Sequence, residues 1–406
     1  MYLQLAWRNI WRNPRRTTVI LLAIIIGVWS MIFENALMRG ITVGMIKNSI
    51  ATLTGHIQIH RRGYRSDPVI ENSITEPEAV IAALKRILPP GTQWAARVRV
   101  NGIASNARHS SGVTLVGIDP ASEAKVSFIG DAIAGGHQLQ PDDPHAIVVG
   151  EALLDKFETK IGHKLVLMSQ DTNQEIASKA FRIVGTFKAE MQSTEKQFVF
   201  ITRKAAQQML KLRQGLSEVS IVLPDQQESG VASRLKAILS PNGYEVNTWK
   251  ELLPFLRAYL KLLDVFVYIW SLVIFIAMGF GIVNTTLMAV FERIREFGLM
   301  KALGMKPWWI VRQVLTESFL LLIIGIIMGN ILAFLTVLAL SDSGIDLSAL
   351  AAGAEFAGMT RVIYPIVSIK DWSIANLLVM VLGLLICIYP AAKAAKFTPI
   401  EALAYT

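Results

Sequence analysis

A chain of 406 residues with 52% apolar and 17% charged side chains, and a mean hydropathy of +0.44, is too hydrophobic for an ordinary soluble domain; the composition predicts membrane spans joined to a soluble part. The net charge of +9 is concentrated beside the apolar runs, so it reports membrane orientation and argues against nucleic-acid binding. The sole cysteine, Cys387, excludes an intrachain disulfide, so the soluble part must stand on packing alone.

Residues 1–16 carry Arg8, Arg12, Arg15 and Arg16 and precede a first apolar span at 17–38. About 20 helical residues cross a hydrocarbon core of roughly 30 Å. The run is long, Glu34 sits within it and no small-residue cleavage pattern follows, so it reads as a retained anchor and not as a signal peptide. Past it, Phe33, Leu37, Ile41, Gly44, Met45 and Asn48 keep helical spacing, predicting a stalk that continues outward.

Residues 39–264 read as a soluble α+β domain. Alternation or β-branched content marks strands at 56–60, 93–104, 113–118, 163–169, 181–187, 198–201, 217–223 and 244–248. Helical periodicity falls at 76–88, 151–157, 204–212 and 226–238. The order strand, helix, strand recurs at both ends, which predicts one α+β subdomain whose halves are separated by a β-rich insertion at about 113–200. Turn signals at Gly117-Ile118-Asp119-Pro120, Pro141-Asp142-Asp143-Pro144 and Leu223-Pro224-Asp225 mark the seams. His56 and His60 have metal-like spacing only on a helix; in a strand they lie about 13 Å apart, too far for one ion. Leu252, Phe255, Leu256, Tyr259 and Leu263 form a second predicted stalk, in which Pro254 is tolerated if it occupies the first turn.

Three more spans follow at 265–290, 314–340 and 373–391, separated by loops at 291–313 and 341–372 and followed by a tail at 392–406. Lys and Arg crowd the 291–313 loop and both termini, whereas the 341–372 loop is mainly acidic. Both termini and the 291–313 loop are therefore expected in the cytoplasm and the 39–264 domain outside. Glu292, Arg293, Arg295, Glu296, Gly298, Lys301 and Gly304 form a charged amphipathic helix squeezed between two spans, a poor site for chemistry but a handle that a soluble motor could push. Trp29, Met31, Phe33 and Leu37, in the outer half of the first span, are candidates to line an acyl-chain cavity, although ordinary lipid-facing or packing roles are the commoner use of such residues. No Ser-His-Asp or Cys-His arrangement is visible.

Asn284 to Gly304, the Gly325 and Gly329 pair, and the terminal run Tyr389-Pro390-Ala391-Ala392-Lys393-Ala394-Ala395-Lys396-Phe397-Thr398-Pro399-Ile400-Glu401-Ala402-Leu403 resemble the FtsX-domain signature of MacB-type ABC transporter permeases. That superfamily includes MacB, FtsX and the lipoprotein-release permeases LolC and LolE. The stretches 113–118, 147–153 and 181–187 resemble the MacB-type periplasmic core, and His56-Ile57-Gln58-Ile59-His60-Arg61-Arg62-Gly63-Tyr64 looks most like the LolC/LolE branch.

The resemblance implies a bacterial inner-membrane permease with no cofactor of its own, because the sequence contains no Gly-x-x-x-x-Gly-Lys-Ser/Thr loop. ATP and Mg would be bound by two copies of a separate ABC ATPase subunit, docked on the 292–304 helix. A second permease copy, identical or homologous, would complete an eight-span dimer surrounded by membrane lipids. The cargo implied is a lipoprotein handed to a periplasmic carrier; the alternatives are an FtsX-like regulator of a cell-wall hydrolase and MacB-like efflux of peptides or drugs.

Overall fold

The basic N-terminal segment is helical: the chain opens with helix α1 (Tyr2–Arg12). Ala6 and Ile10 are buried while Trp7 and Trp11 stand exposed, edge to face at 6.0 Å, the amphipathic pattern of a helix lying at a membrane surface. Asn13 breaks the run and α2 follows (Pro14–Ser49). A computed structural model describes residues 2–224, 228–347 and 362–404 of the protein, with side chains from 6 to 401. It divides into two units, one of Met1–Val43, Tyr259–Ala349 and Val362–Thr406, the other built on Gly44–Ala258.

In the second unit, α2 runs out into a wide turn, Ile50–Thr54, where Leu53 takes φ 66°. A branched side chain seldom adopts that region, so its surroundings must hold it there. Then come β1 (Ile57–Arg61), α3 (Pro77–Ile87) and β2 (Gln93–Ser105). The inserted part holds β3 (Ser110–Ile118), α4 (Pro120–Glu123), β4 (Ile133–Gly136), β5 (Ala146–Gly150), α5 (Glu151–Lys156), β6 (Lys164–Gln170), β7 (Ile176–Phe187), α6 (Gln192–Gln197), β8 (Phe198–Thr202) and α7 (Arg203–Met209). The chain returns through β9 (Glu218–Val222), α8 (Glu228–Leu239), β10 (Tyr244–Thr248) and α9 (Trp249–Leu252).

Strands β10, β1, β9 and β2 pair antiparallel in that order. With α3 and α8 on one face they make a split β-α-β layer closed over Ile57, Ile59, Val80, Leu84, Val219, Leu235 and Val246. The inserted strands form a ring: β2 pairs β3, β3 pairs β8, β8 pairs β5, β5 pairs β7, β7 pairs β6, and β6 returns to β2. Closure removes the exposed edges that an open insertion would present. Val100, Leu115, Ile147, Leu167, Phe181 and Ile201 contribute to its core. The insertion is larger than the predicted 113–200, because β2 is shared: Gln93–Arg97 pairs with β9 of the outer layer, and 98–105 pairs with β3 of the ring.

Where β2 passes from one sheet to the other lies Arg97, wholly buried. Its Nε and Nη2 donate to Glu123 on α4 at 2.7 to 3.1 Å, and Nη1 donates to Glu218 at the start of β9 at 3.1 Å and to the Leu53 carbonyl. One guanidinium thus ties the insertion, the outer layer and the end of the stalk segment together. His60 Nε2 lies 3.6 Å from the other Glu218 oxygen and its ring stacks on Tyr64. The histidine pair therefore separates: His60 serves this network, while the His56 Nδ1 accepts from the Leu223 N–H at 3.2 Å. Among the described residues no cluster of three or more His, Cys, Asp or Glu could hold a metal.

The first unit resumes with α10 (Pro254–Glu292), α11 (Ile294–Ala302), α12 (Pro307–Ser343), the strand pair β11 (Ile345–Asp346) and β12 (Val362–Ile363), α13 (Ile369–Lys396) and α14 (Pro399–Ala404). Pro254 and Pro307 each begin a helix, where the missing N–H costs nothing. Helices α2, α10, α12 and α13 are long and apolar enough to cross a membrane. Gly325 and Gly329 of α12 leave no room for a Cβ against Ile24 and Val28 of α2, so the two backbones approach closely. Trp29 Nε1 donates to Thr336 at 3.1 Å, and Asn330 and Asn376 exchange amide hydrogen bonds at 2.7 and 3.2 Å, polar pins among otherwise apolar contacts.

Candidate functional site

The 291–304 segment does not form one helix from Phe291, as its periodicity suggests. Arg293 leaves helical geometry (φ −108°, ψ 12°), ending α10 at Glu292 and starting α11 at Ile294. The α11 helix ends at Ala302 with Leu303 as its cap, and Gly304 takes φ 95°, a conformation that favours glycine, before Pro307 opens α12. The segment is a short helical cross-piece with a corner at each end. It rests on Phe297, which packs with Val290, Ile310, Val314, Ala391 and Ala394 from the neighbouring helices.

The corner at Arg293 is held by charge. Its Nη1 donates to both oxygens of Glu317 on α12 at 2.9 and 3.0 Å, its Nε to Glu296 at 3.1 Å, and its guanidinium lies over the Phe297 ring at 5.2 Å. Burial disfavours the charged form, but the two carboxylates outweigh it and hold the Arg293 pKa above its ordinary value. Around this centre Asn9 donates to Glu317 at 2.8 Å, Arg12 to Glu296 at 2.8 Å and Arg16 to Glu292 at 3.0 Å. Lys301 reaches the other way, donating to the carbonyls of Ala395 and Phe397 at 2.9 and 2.6 Å, where the end of α13 has orphan acceptors.

Of the residues singled out in the sequence, Glu292, Arg293, Glu296 and Lys301 are thus engaged with α1, α2, α12 and the end of α13. Gly298 is buried in the packing face and Gly304 makes the corner. Arg295 is exposed. The face turned to solvent carries two leucines beside Arg295 and the half-exposed Glu296: Leu299 is 55% and Leu303 81% exposed, one turn apart at the tip of the cross-piece. Sequence reasoning passed over these leucines because charge in a loop suggests contact and leucine suggests core. The available signal was that Leu299 and Leu303 fall opposite Ile294, Phe297 and Gly298 on a helical wheel.

Trp29, Met31, Phe33 and Leu37 do not form one lining. The Trp29 and Phe33 rings stack at 5.9 Å on one side of α2 with the Thr336 hydrogen bond, and Leu37 continues that row at four-residue spacing. Met31 lies about 200° away around the helix and belongs to a different row with Asn35 and Met38. That row borders an open groove together with residues of α10 and α13.

Comparison with known proteins adds two family matches. The MacB-like periplasmic core domain matches residues 17–238 and the FtsX-like permease C-terminal matches residues 268–399, which contains the whole cross-piece. The transmembrane protein LolC of the lipoprotein-releasing system of Xylella fastidiosa is 23% identical over 95% of this chain and 92% of its own length. The pyoverdine export ATP-binding/permease protein PvdT of Pseudomonas fluorescens is 24% identical over 98% of this chain, which spans only 58% of that relative. Among solved structures, the periplasmic region of MacB from Actinobacillus actinomycetemcomitans covers 50% of this chain and 93% of its own, at 14% identity and a TM-score of 0.34.

Proposed function

From the premise that this chain belongs to the MacB-like periplasmic core domain family and ends in an FtsX-like permease domain, we propose that it is the membrane subunit of an ATP-driven machine. It is a multi-pass inner-membrane protein with its large domain in the periplasm. A separate ATPase closes beneath it, pushes on α11, and moves α2 and α10. These two helices enter the periplasmic domain directly, so the work appears there. The observation that carries this reading is the construction of α11: an apolar tip of Leu299 and Leu303 offered outward, on a helix clamped at both corners by Arg293 and Lys301. A clamped helix transmits a push; a loose one would absorb it.

The cargo we propose is a lipid-anchored protein drawn from the outer leaflet, as the similarity to LolC along nearly the full length of both chains supports. The similarity to PvdT, at equal identity, supports export of a small secreted molecule as the second reading. The docking half is tested by recruitment of the ATPase to membranes. A buried leucine contributes about 1.5–3 kcal/mol, so Leu299→Asp combined with Leu303→Asp should lower ATPase association at least tenfold. Unchanged recruitment and unchanged ATPase activity would sink the proposal. The cargo half is tested by depletion: lipoproteins retained in the inner membrane support release, and normal sorting with loss of an exported small molecule supports the second reading.

A further inference from the structure

At the outer end of the membrane unit, α2, α10 and α13 leave between them an open groove. Its mouth carries one guanidinium, Arg39, and two carboxylates, Asp264 and Asp371. Among the described residues none of the three makes an ion pair or a side-chain hydrogen bond, although they border the same space. Deeper in, the lining is apolar: Met31, two turns before Arg39, and Leu378, two turns past Asp371, with Val267 of α10.

Depth can be read from helix rise. Arg16, at the cytoplasmic ionic cluster, and Arg39 are separated by about 34 Å along α2, one hydrocarbon thickness plus a little. Arg39, Asp264 and Asp371 therefore stand at the level of the outer-leaflet headgroups, and the Met31 to Leu378 lining stands at the level of the upper acyl chain. A groove with separated charges of both signs above and a greasy slot below is complementary to a zwitterion that carries hydrocarbon.

We propose that this groove holds a resident phosphatidylethanolamine molecule of the outer leaflet, its phosphate on Arg39, its ammonium between Asp264 and Asp371, and one acyl chain along Met31, Val267 and Leu378. The ammonium offers three N–H donors to two acceptor-only carboxylates. Phosphatidylglycerol has the phosphate but no cation, and would set a net negative headgroup in a mouth whose own balance is one positive against two negative. The assignment does not rest on the cargo proposed above; a resident lipid would serve a permease of either kind as a fixed wedge beside α2.

The test is native mass spectrometry of the purified full-length chain, released from nanodiscs made of equal phosphatidylethanolamine and phosphatidylglycerol. The expected result is at least a tenfold excess of the phosphatidylethanolamine adduct. Arg39→Gln should reduce that adduct tenfold or more. The double variant Asp264→Asn with Asp371→Asn turns the mouth net positive and should invert the preference toward phosphatidylglycerol, a gain that an unfolded protein could not show. Equal retention of the two lipids by the unaltered chain overturns the proposal whatever the variants do. Displacement of the lipid by millimolar inorganic phosphate would mark a bare anion site, and displacement by a diacylated lipopeptide would mark a cargo site; either result also overturns it.

Discussion

Arg97→Met isolates the joint at which three parts of the periplasmic unit meet. Methionine fills most of the space but removes the guanidinium shared by Glu123 and Glu218, which are 0% and 1% exposed; Glu218 keeps Arg99 and His60 beside it, so Glu123 is the carboxylate left stranded. Breaking a buried ion pair by deleting one partner costs about 3–5 kcal/mol, because the remaining charge is stranded. For a unit of this size roughly 2–4 °C of melting temperature corresponds to each kcal/mol, so a loss of about 6–20 °C is expected. The assay is protease resistance of the periplasmic unit in the intact, nanodisc-embedded chain, heated at one fixed rate because membrane proteins seldom unfold reversibly. Two features separate stranded charge from lost packing. The triple variant Arg97→Met, Glu123→Gln, Glu218→Gln should recover most of the loss. The gap between the single variant and the unaltered chain should narrow as pH falls, since a buried carboxylate that has lost its guanidinium then takes up a proton. A loss under about 2 °C, or a triple variant no better than the single, would refute the reasoning.

Glu218 itself supplies a pH prediction. Burial works against its charge, but His60 and the guanidiniums of Arg99 and Arg97 hold its pKa down to about 2, from an ordinary 4.5. Its contribution to stability is therefore complete above pH 4.5 and lost as pH falls toward 2; the same proteolysis assay at pH 6, 4 and 3 should show resistance declining only in the last two, and Glu218→Gln should flatten that decline. Lys301→Met removes the donor to the Ala395 and Phe397 carbonyls and should lower ATPase stimulation by the permease several-fold while leaving expression unchanged; full stimulation would mean the second corner carries no load. Gly325→Leu forces a branched side chain into Ile24 and should lower the melting temperature of the membrane unit by several degrees, more than Leu at outward-facing Phe334 does. Single cysteines at Asp142 and Leu303, in a Cys387→Ser background, should divide by side of the membrane, with only position 142 reacting with an impermeant thiol reagent in spheroplasts.

Composition and periodicity carried the membrane class, the four apolar helices, the sidedness implied by Lys and Arg, and the strand-helix-strand order at both ends of the outer domain. These depend on local properties that repeat every 2 or 3.6 residues, and they can be read without knowing what faces what. The amphipathic α1 is equally local, although its arginines read first as a topology signal. β5, by contrast, is buried along its whole length between β7 and β8, so its five apolar residues show no alternation that marks a strand. Tertiary structure alone decided that β2 serves two sheets, that the insertion closes into a ring, and that Arg97 joins them, because each depends on pairings between residues far apart in the chain. It also decided what the charges of α11 touch within the chain. A charge is written identically in sequence whether it meets a partner protein or, like Arg293, a glutamate 24 residues on; only packing shows that Arg293 and Lys301 hold the helix while Leu299 and Leu303 face out.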